Sequence, residues 1–342
     1  MKNIIRSEKF TTKDICMIIP TYNRAEDIDK TLASLLGKKY IPGKIIIGDQ
    51  SKDDKTKKVV KKYSKKLLIE YFHSDIPSAN ITANIGIKKA RGKFLLILTA
   101  GDDVDFIDEY FEEMIKEFNE HTEVIGIGGA EIEVEEYDFK KFKNKISNFL
   151  LKLFFLPHKE NHKFKITGPY GNTSTPKVEK EIRDAQWLPG FNECVKSKVY
   201  QDYLWPEIKG YDVLSDIDSS YRVYRKYGKG SLVITPRCKV HHRYSHAARY
   251  VERKRIFVNH EDHFSFYYLH FNNFIGQLKL LWSLIGIVLG NIARVFINPK
   301  KASSDTLKFN VQAIYYCYNN KENIKKKNYR VFLNDDLSMK IL

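Results

Sequence analysis

The sequence predicts an α/β fold built on a mostly parallel sheet, and three observations carry that prediction. Short apolar runs of strand length alternate with helical patterns through the first third of the chain. Several of those runs end in polar loops rich in Asp, Gly, Asn or Thr, the kind that gathers at the carboxyl ends of parallel strands. A β-α-β-α order also requires crossover connections, which cover both faces of a sheet with helices.

The elements follow in order. Ile15 to Pro20 (ICMIIP) reads as a buried strand, and Ile28, Leu32, Leu35 and Leu36 follow at helical spacing. Ile45 to Gly48 is a second strand and Thr56 to Tyr63 a basic amphipathic helix. Leu67 to Phe72 is a third strand, Ala83 to Ala90 a short helix and Phe94 to Leu98 a fourth strand. Phe106, Ile107, Tyr110, Phe111, Met114, Ile115 and Phe118 form one long apolar helix face, and Val124 to Val134 is a further strand.

The middle changes character. Between Phe139 and Lys165 there are eight lysines around NFLLKLFFLP, with Glu160 the only acid. Asn161 to Pro176 is polar and reads as a loop, and Trp187 to Tyr250 resumes mixed structure with many aromatics and histidines. His260 to Phe274 has a helical pattern. Leu280 to Ala293 is an uncharged run of 14 residues, shorter than the roughly 20 that span a bilayer. Beside the lysine-rich segment it reads as an interfacial or re-entrant helix suited to an anionic leaflet, with a buried core helix as the plainer alternative and a full span, with the flanking apolar residues, as a third.

Composition bounds the partners. The 342 residues carry a formal charge of +16, which favours an anionic partner such as a nucleotide, a diphosphate or an anionic lipid surface. The basic residues are scattered or lie beside apolar helices, and no nucleic-acid motif appears, which argues against nucleic acid. Cys16, Cys194, Cys238 and Cys317 form no CxxC pair, which argues against a zinc site or a disulfide framework and for a reducing compartment. MKNIIRSEKF has no apolar run of signal-peptide length, so secretion is not expected. Gly126-Ile127-Gly128-Gly129 is not GxGxxG and lies late in the domain, which argues against a nicotinamide site.

Five polar clusters could carry chemistry. Pro20-Thr21-Tyr22-Asn23-Arg24 follows the first strand, where an aromatic and an arginine can meet a base and a phosphate. Gly48-Asp49-Gln50-Ser51-Lys52-Asp53-Asp54 follows the second, and Asp49 can accept hydrogen bonds from a base or ribose. Asn84-Ile85-Gly86 with Ala90-Arg91-Gly92 is the third, where Gly86 permits close backbone approach. Leu98-Thr99-Ala100-Gly101-Asp102-Asp103 is the fourth. Adjacent carboxylates there suit a hard divalent cation bridging to phosphate. Ser215-Asp216-Ile217-Asp218 is the fifth, where a carboxylate at a helix start could act as general base. Each also reads as an ordinary turn or helix cap.

Taken in order, IIPTYNR, GDQSKDD, NIGIKKARG, LTAGDD and SDIDSSYR resemble the family 2 glycosyltransferases of the GT-A fold, from about Ile15 to about His242. The resemblance implies that Pro20, Tyr22, Arg24 and Asp49 bind the nucleoside and that Asn84, Gly86, Arg91 and Gly92 lie near the nucleotide-sugar. The family's DxD metal motif is altered, with Thr99 and Gly101 at its acidic positions. A Mg2+ or Mn2+ ion then falls to Asp102 and Asp103, with His241 or His242 where some members place a histidine. Asp216 is implied as the base, with Ser215 in place of the acid before it. Trp187, Leu188, Gly190 and Asn192 resemble the acceptor-side stretch. The QxxRW signature of processive synthases is absent after Asp216.

The implied function is inverting transfer of a sugar, of hexosyltransferase type, from a nucleotide donor to a hydroxyl of a lipid-linked or cell-envelope glycan. The expected place is the cytoplasmic face of the membrane, as a peripheral or monotopic protein. The alternative is a membrane-docked, glycosyltransferase-like protein that binds nucleotide without transfer. The expected organisation is a GT-A domain over residues 12–245, with 139–176 as a basic amphipathic insertion and loop, then a helical membrane-associating region over 246–342.

Overall fold

The computed structural model describes residues 9–76, 78–132, 141–160, 163–174, 183–208, 212–245, 252–297 and 304–326. The chain runs β1 (Ile15–Thr21), α1 (Ala25–Ala33), β2 (Lys44–Asp49), α2 (Lys55–Tyr63), β3 (Ile69–His73), α3 (Ala79–Ala90), β4 (Leu96–Ala100), β5 (Val104–Phe106), α4 (Tyr110–Glu120) and β6 (Gly126–Glu131). It continues through α5 (Lys141–Leu153), β7 (His158–Lys159), β8 (Thr173–Ser174), β9 (Arg183–Asp184), β10 (Asn192–Lys196), α6 (Ser215–Tyr227) and β11 (Leu232–His242). Four helices follow: α7 (Glu252–His270), α8 (Phe274–Ile297), α9 (Ser304–Asn319) and α10 (Lys321–Lys325).

The main sheet has the order β3-β2-β1-β4-β10-β6-β11-β5, with β9 beside β11; β7 and β8 pair separately. β1 pairs in parallel with β2 on one side and β4 on the other. The strand order therefore reverses at β1, which opens a crevice at its carboxyl end. β10 inserts antiparallel between β4 and β6, bringing the segment before it to the same edge.

Alternation along the strands builds two cores. Ile15, Met17 and Ile19 face a layer of α1, α2 and α4 that includes Ile28, Leu32, Val60, Tyr110 and Met114. Cys16 and Ile18 face the opposite layer, with Ile87 of α3, Ile217 and Val223 of α6, and Phe266 of α7. The period of two in β1 thus feeds both faces of a sheet covered on each side.

Several boundaries differ from the sequence reading. α3 starts at Ala79 rather than Ala83, because the Ser78 hydroxyl accepts the Ile81 amide at 3.2 Å and caps it. β3 and β4 each begin two residues later than their apolar runs, at Ile69 and Leu96. Phe106 leaves the expected helix for β5, where it pairs with Val240 of β11. β6 ends at Glu131, and the expected extension to Val134 falls partly outside the described residues. The uncharged run is the middle of α8, a single helix of 24 residues that continues through Gln277 and Lys279. Phe274–Phe296 is long and apolar enough to cross a membrane by length and composition, and 22% of its tested window is buried.

Gly86 lies where α3 crosses β1, and a Cβ there would stand 2.7 Å from Ile18 Cγ2. The glycine brings helix and sheet together. Gly86→Ala is expected to cost about 1–3 kcal/mol through overpacking, read as a lower urea midpoint at unchanged slope.

Candidate active site

Every polar cluster that ends a parallel strand reaches one edge of the sheet, and hydrogen bonds tie the clusters together. At the end of β2, Asp49 is buried; its Oδ1 accepts the Ser51 amide at 2.9 Å and its Oδ2 the Tyr71 hydroxyl at 2.9 Å. Ser51 Oγ in turn accepts the amide of Asn23 at 2.8 Å, joining this loop to the one after β1. Asn23 has φ of 54°, the left-handed turn that Asn tolerates better than most residues. Pro20 lies in β1 and Tyr22 is exposed beside it.

The adjacent carboxylates Asp102 and Asp103 are both buried but separate into two environments. Asp102 accepts the Thr21 hydroxyl at 2.8 Å and Arg24 Nη1 at 3.0 Å. Burial raises its pKa to about 6 against the pull of Arg24. Asp103 faces His242 Nε2 at 3.1 Å and accepts the Ser245 amide at 2.8 Å. Burial raises its pKa too, but His242, the Ser245 amide and Arg24 outweigh it and hold the carboxyl at about 2. His242 is stacked between Phe191, at 4.4 Å, and Tyr244, at 4.1 Å. Its Nδ1 is buried with no hydrogen-bond partner.

A carboxylate and an imidazole converging in this way suit a hard divalent ion such as Mn2+ or Mg2+. Asp103 and His242 fit that role. Asp102 spends its oxygens on Thr21 and Arg24, and His241 turns instead to Asp105, at 3.4 Å.

Asp216 lies in the first turn of α6. Its Oδ2 accepts the Gly190 amide at 3.0 Å and its Oδ1 the Ile217 amide at 2.8 Å. Burial pushes its pKa up to about 6, against the lowering effect of those amides. Asp212 Oδ1 accepts the amides of Leu214 and Ser215, at 3.1 and 2.8 Å, and so caps the helix start. A Cβ on Gly190 would stand 2.8 Å from Asp216 Cβ, so the close approach needs glycine. Phe191, the next residue, stacks on His242, and its carbonyl accepts the Gly101 amide at 3.0 Å. A segment of two residues therefore links the Asp103–His242 pair to the carboxylate of Asp216.

Other expected residues lie elsewhere. Asn84 is fully buried and holds the Trp205 backbone at both ends, with N–H···Oδ1 and Nδ2–H···O contacts of 3.0 Å. Gly86 packs on β1. Arg91 follows α3 at the amino-terminal end of the strands, where Nη1 donates to the Tyr200 carbonyl at 3.1 Å. The intact NxGxxxARG pattern is thus spread along a packing helix whose far end leaves the site. Trp187 is buried and donates to the Thr173 carbonyl at 3.1 Å. Asn192 binds both backbone groups of Gly129, which joins β10 to β6. Of the acceptor-side group, Gly190 alone touches Asp216.

Sequence reasoning missed Arg243 and Trp205, and it placed Asp218 in the fifth cluster without its partners. Arg243 reaches Asp105, the Asp27 carbonyl and Thr31. Asp218 pairs with His270 of α7 at 2.6 Å and Arg222 at 3.2 Å. A cavity of about 30 Å³ beside Pro206, Asp212 and Ser215 faces α7 and has room for water only.

Comparisons place this geometry among known proteins. Residues 16–174 match the model of glycosyl transferase family 2, ending before β10, α6 and β11. The poly-beta-1,6-N-acetyl-D-glucosamine synthase of Staphylococcus epidermidis is 24% identical over 127 residues, 37% of this chain and 30% of that protein. The chain spans no more than 30% of the length of the curated relatives it matches. TarS 1-349 of S. aureus, solved with UDP-GlcNAc, superposes with a TM-score of 0.52 at 14% identity, covering 87% of this chain and 79% of that one. GalNAc-T7, solved with UDP, GalNAc and Mn2+, superposes with a TM-score of 0.55 at 12% identity, covering 91% and 57%.

Proposed function

We propose that this protein is an inverting, nucleotide-sugar-dependent glycosyltransferase, a reading supported by the match of residues 16–174 to the model of glycosyl transferase family 2 and by the GT-A-like sheet. One observation carries the reading. Asp216, held by two amides and raised to about 6, is linked through Gly190 and Phe191 to an Asp103–His242 pair at the strand edge.

The donor lies in the crevice at β1, with Asp49, Tyr22 and Arg24 on its nucleoside and phosphate side. Asp216 removes the proton of an acceptor hydroxyl as its oxygen attacks the anomeric carbon. The bond from that carbon to the diphosphate breaks, the electron pair leaves with the nucleoside diphosphate, and configuration inverts. Asp103 and His242 would hold a Mn2+ or Mg2+ ion, which supplies charge neutralisation for the departing diphosphate. The catalytic unit covers residues 12–245, and the helical region 246–342 docks it to its acceptor.

That acceptor is a lipid-linked or cell-envelope glycan met at the cytoplasmic membrane face. Support comes from an apolar surface shared by two helices. α5 exposes Ile146, Phe149, Leu150 and Leu153, and α8 exposes Phe274, Ile275, Leu278, Leu281, Ile285 and Leu289. Trp282 joins them, stacking on Phe154 at 5.1 Å and donating to the Leu153 carbonyl at 2.9 Å. Exposed Lys145 and Lys152 flank the α5 row, as an anionic leaflet favours. Lys279 does not oppose burial, since it donates to the Thr167 carbonyl at 2.9 Å.

Turnover tests the chemistry. A donor panel headed by UDP-N-acetylglucosamine, with Mn2+ and an extracted envelope acceptor, is expected to release nucleoside diphosphate from one donor. Asp216→Asn should lose about 10²–10⁴-fold in kcat while retaining nucleotide binding. In the wild type, kcat/KM should fall as pH drops through about 6, because the base must be ionised and burial has raised its pKa. Near-normal turnover by Asp216→Asn sinks the assignment, and nucleotide binding without turnover of any donor leaves a binding protein instead.

Chelation gives an independent check on the metal pair. EDTA should abolish turnover and Mn2+ restore it, with Asp103→Asn needing much more Mn2+ for half-restoration; full activity in EDTA would remove the ion. For the membrane surface, the chain should float with phosphatidylcholine vesicles containing phosphatidylglycerol, more weakly with pure phosphatidylcholine, and less still as Phe149→Glu/Ile285→Glu. Equal behaviour of wild type and variant would overturn the docking surface.

A further inference from the structure

One carboxyl beside the base has no part in the reaction above. Glu193 lies in β10, paired with Thr99 of β4 and Gly128 of β6, in the middle of the sheet. It is 1% exposed, and no cation pairs with it among the described residues. Its Oε1 accepts the Tyr200 hydroxyl at 3.5 Å, and its Oε2 has no hydrogen-bond partner among the described residues. An ionised carboxylate in such a place would stand uncompensated in a low dielectric. Burial first, and then the Asp216 carboxylate, push the Glu193 pKa well above the usual range, so the group is a neutral acid.

The nearby Trp205 has the complementary defect. Its indole Nε1–H is buried and has no hydrogen-bond partner among the described residues, and it influences both the Glu193 carboxyl and the Tyr200 hydroxyl. Its backbone is fixed independently by Asn84. The far edge of its ring reaches Gly190: Trp205 Cη2 is 3.0 Å from where a Gly190 Cβ would be, and Asp216 Cβ is 2.8 Å from the same point. The indole and the Asp216 side chain therefore wall in the same glycine, whose amide holds the Asp216 carboxylate.

We infer that Glu193 is a positioning residue, setting the Trp205 ring against Gly190 and so fixing the Asp216 carboxylate. The inference rests on the glycosyltransferase reading for its consequence, but the ring's placement can be measured without turnover. Asn84 sets the Trp205 backbone and Glu193 sets its indole end. Asp216 then meets the acceptor hydroxyl in one geometry.

The test compares Glu193→Gln, neutral and still polar, with Glu193→Leu, which is apolar. Trp205 emission is isolated as the difference between each chain and its Trp205→Phe counterpart. Glu193→Gln should keep the wild-type emission maximum, donor KM and pH limb, with kcat within about threefold, the small effect expected when a neutral hydrogen-bonding group replaces another. Glu193→Leu should shift the emission and lower kcat about 10²-fold at unchanged donor KM, the scale of a displaced reacting group. In a Trp205→Phe background, Glu193→Gln should add nothing further. Wild-type emission and kcat in Glu193→Leu would overturn the inference, as would a Gln variant that loses as much as the Leu variant. Should Glu193→Leu fail to fold, Glu193→Gln and the Trp205→Phe pair decide. A wild-type chain that turns over no donor defeats the functional reading, and the emission arm then decides on Glu193 alone.

Discussion

The structure of the site depends on how two adjacent buried carboxylates, Asp102 and Asp103, are kept apart electrically. Side by side at a strand end they would repel, and both cannot ionise cheaply without separate partners. Asp102 turns to Thr21 and Arg24, and Asp103 turns to His242 and the Ser245 amide. These contacts draw the ends of β1, β4 and β11 together, so neutralising the pair also closes the edge of the sheet. The two carboxyls then titrate far apart, near 6 and near 2, which gives them different capacities for a cation. Asp103, low and facing an imidazole, is the one suited to a divalent ion. Asp102 serves the fold by anchoring Arg24 at the end of β1.

Much of this was legible in the sequence, and the rest was not for definite reasons. The parallel half of the sheet appears in its apolar runs because both faces of those strands are covered, which leaves continuous hydrophobic stretches. The residues that follow those runs, Asp49, Asp102 and Asp103, reach the edge because parallel strands share one direction. Phe106 misled because its apolar neighbours continue at helical spacing, while its partner, Val240, is far along the chain. The NxGxxxARG segment misled differently. It is a real pattern, but Asn84 and Gly86 serve helix packing and the Trp205 clamp, and Arg91 ends at the opposite edge. Glu193 carries a signal that could have been read, a lone acid in the strand Asn192–Lys196, since a charge in such a strand calls for a partner or neutrality. Trp205 has no such local sign.

Thr99 and Gly101, at the altered motif, have a common structural explanation. Thr99 and Gly101 occupy positions at the end of β4 where β10 crosses closely: Thr99 pairs with Glu193, and the Gly101 amide donates to Phe191. A carboxylate at residue 99 would face the buried Glu193 across the sheet, and a side chain at residue 101 would crowd Phe191, whose Cβ is 3.3 Å from the position of a Cβ there. Those substitutions are consistent with one another once Glu193 and Phe191 are present.

The helical region is more than an appendage to this arrangement. α7 supplies His270 to Asp218, two residues beyond Asp216, at 2.6 Å, and Phe266 to the core beneath α6. α8 follows α7 after a turn of three residues, Phe271 to Asn273, and carries the exposed apolar row. The helix that presents the base and the helix that presents the apolar surface are thus joined through one intervening helix. α7 reaches α6 through a buried contact between His270 and Asp218 and a packed aromatic side chain, both short-range contacts that transmit displacement in a close-packed interior. The helix that holds Asp216 is therefore packed on one side by the segment at the sheet edge and on another by α7, which leads directly into α8.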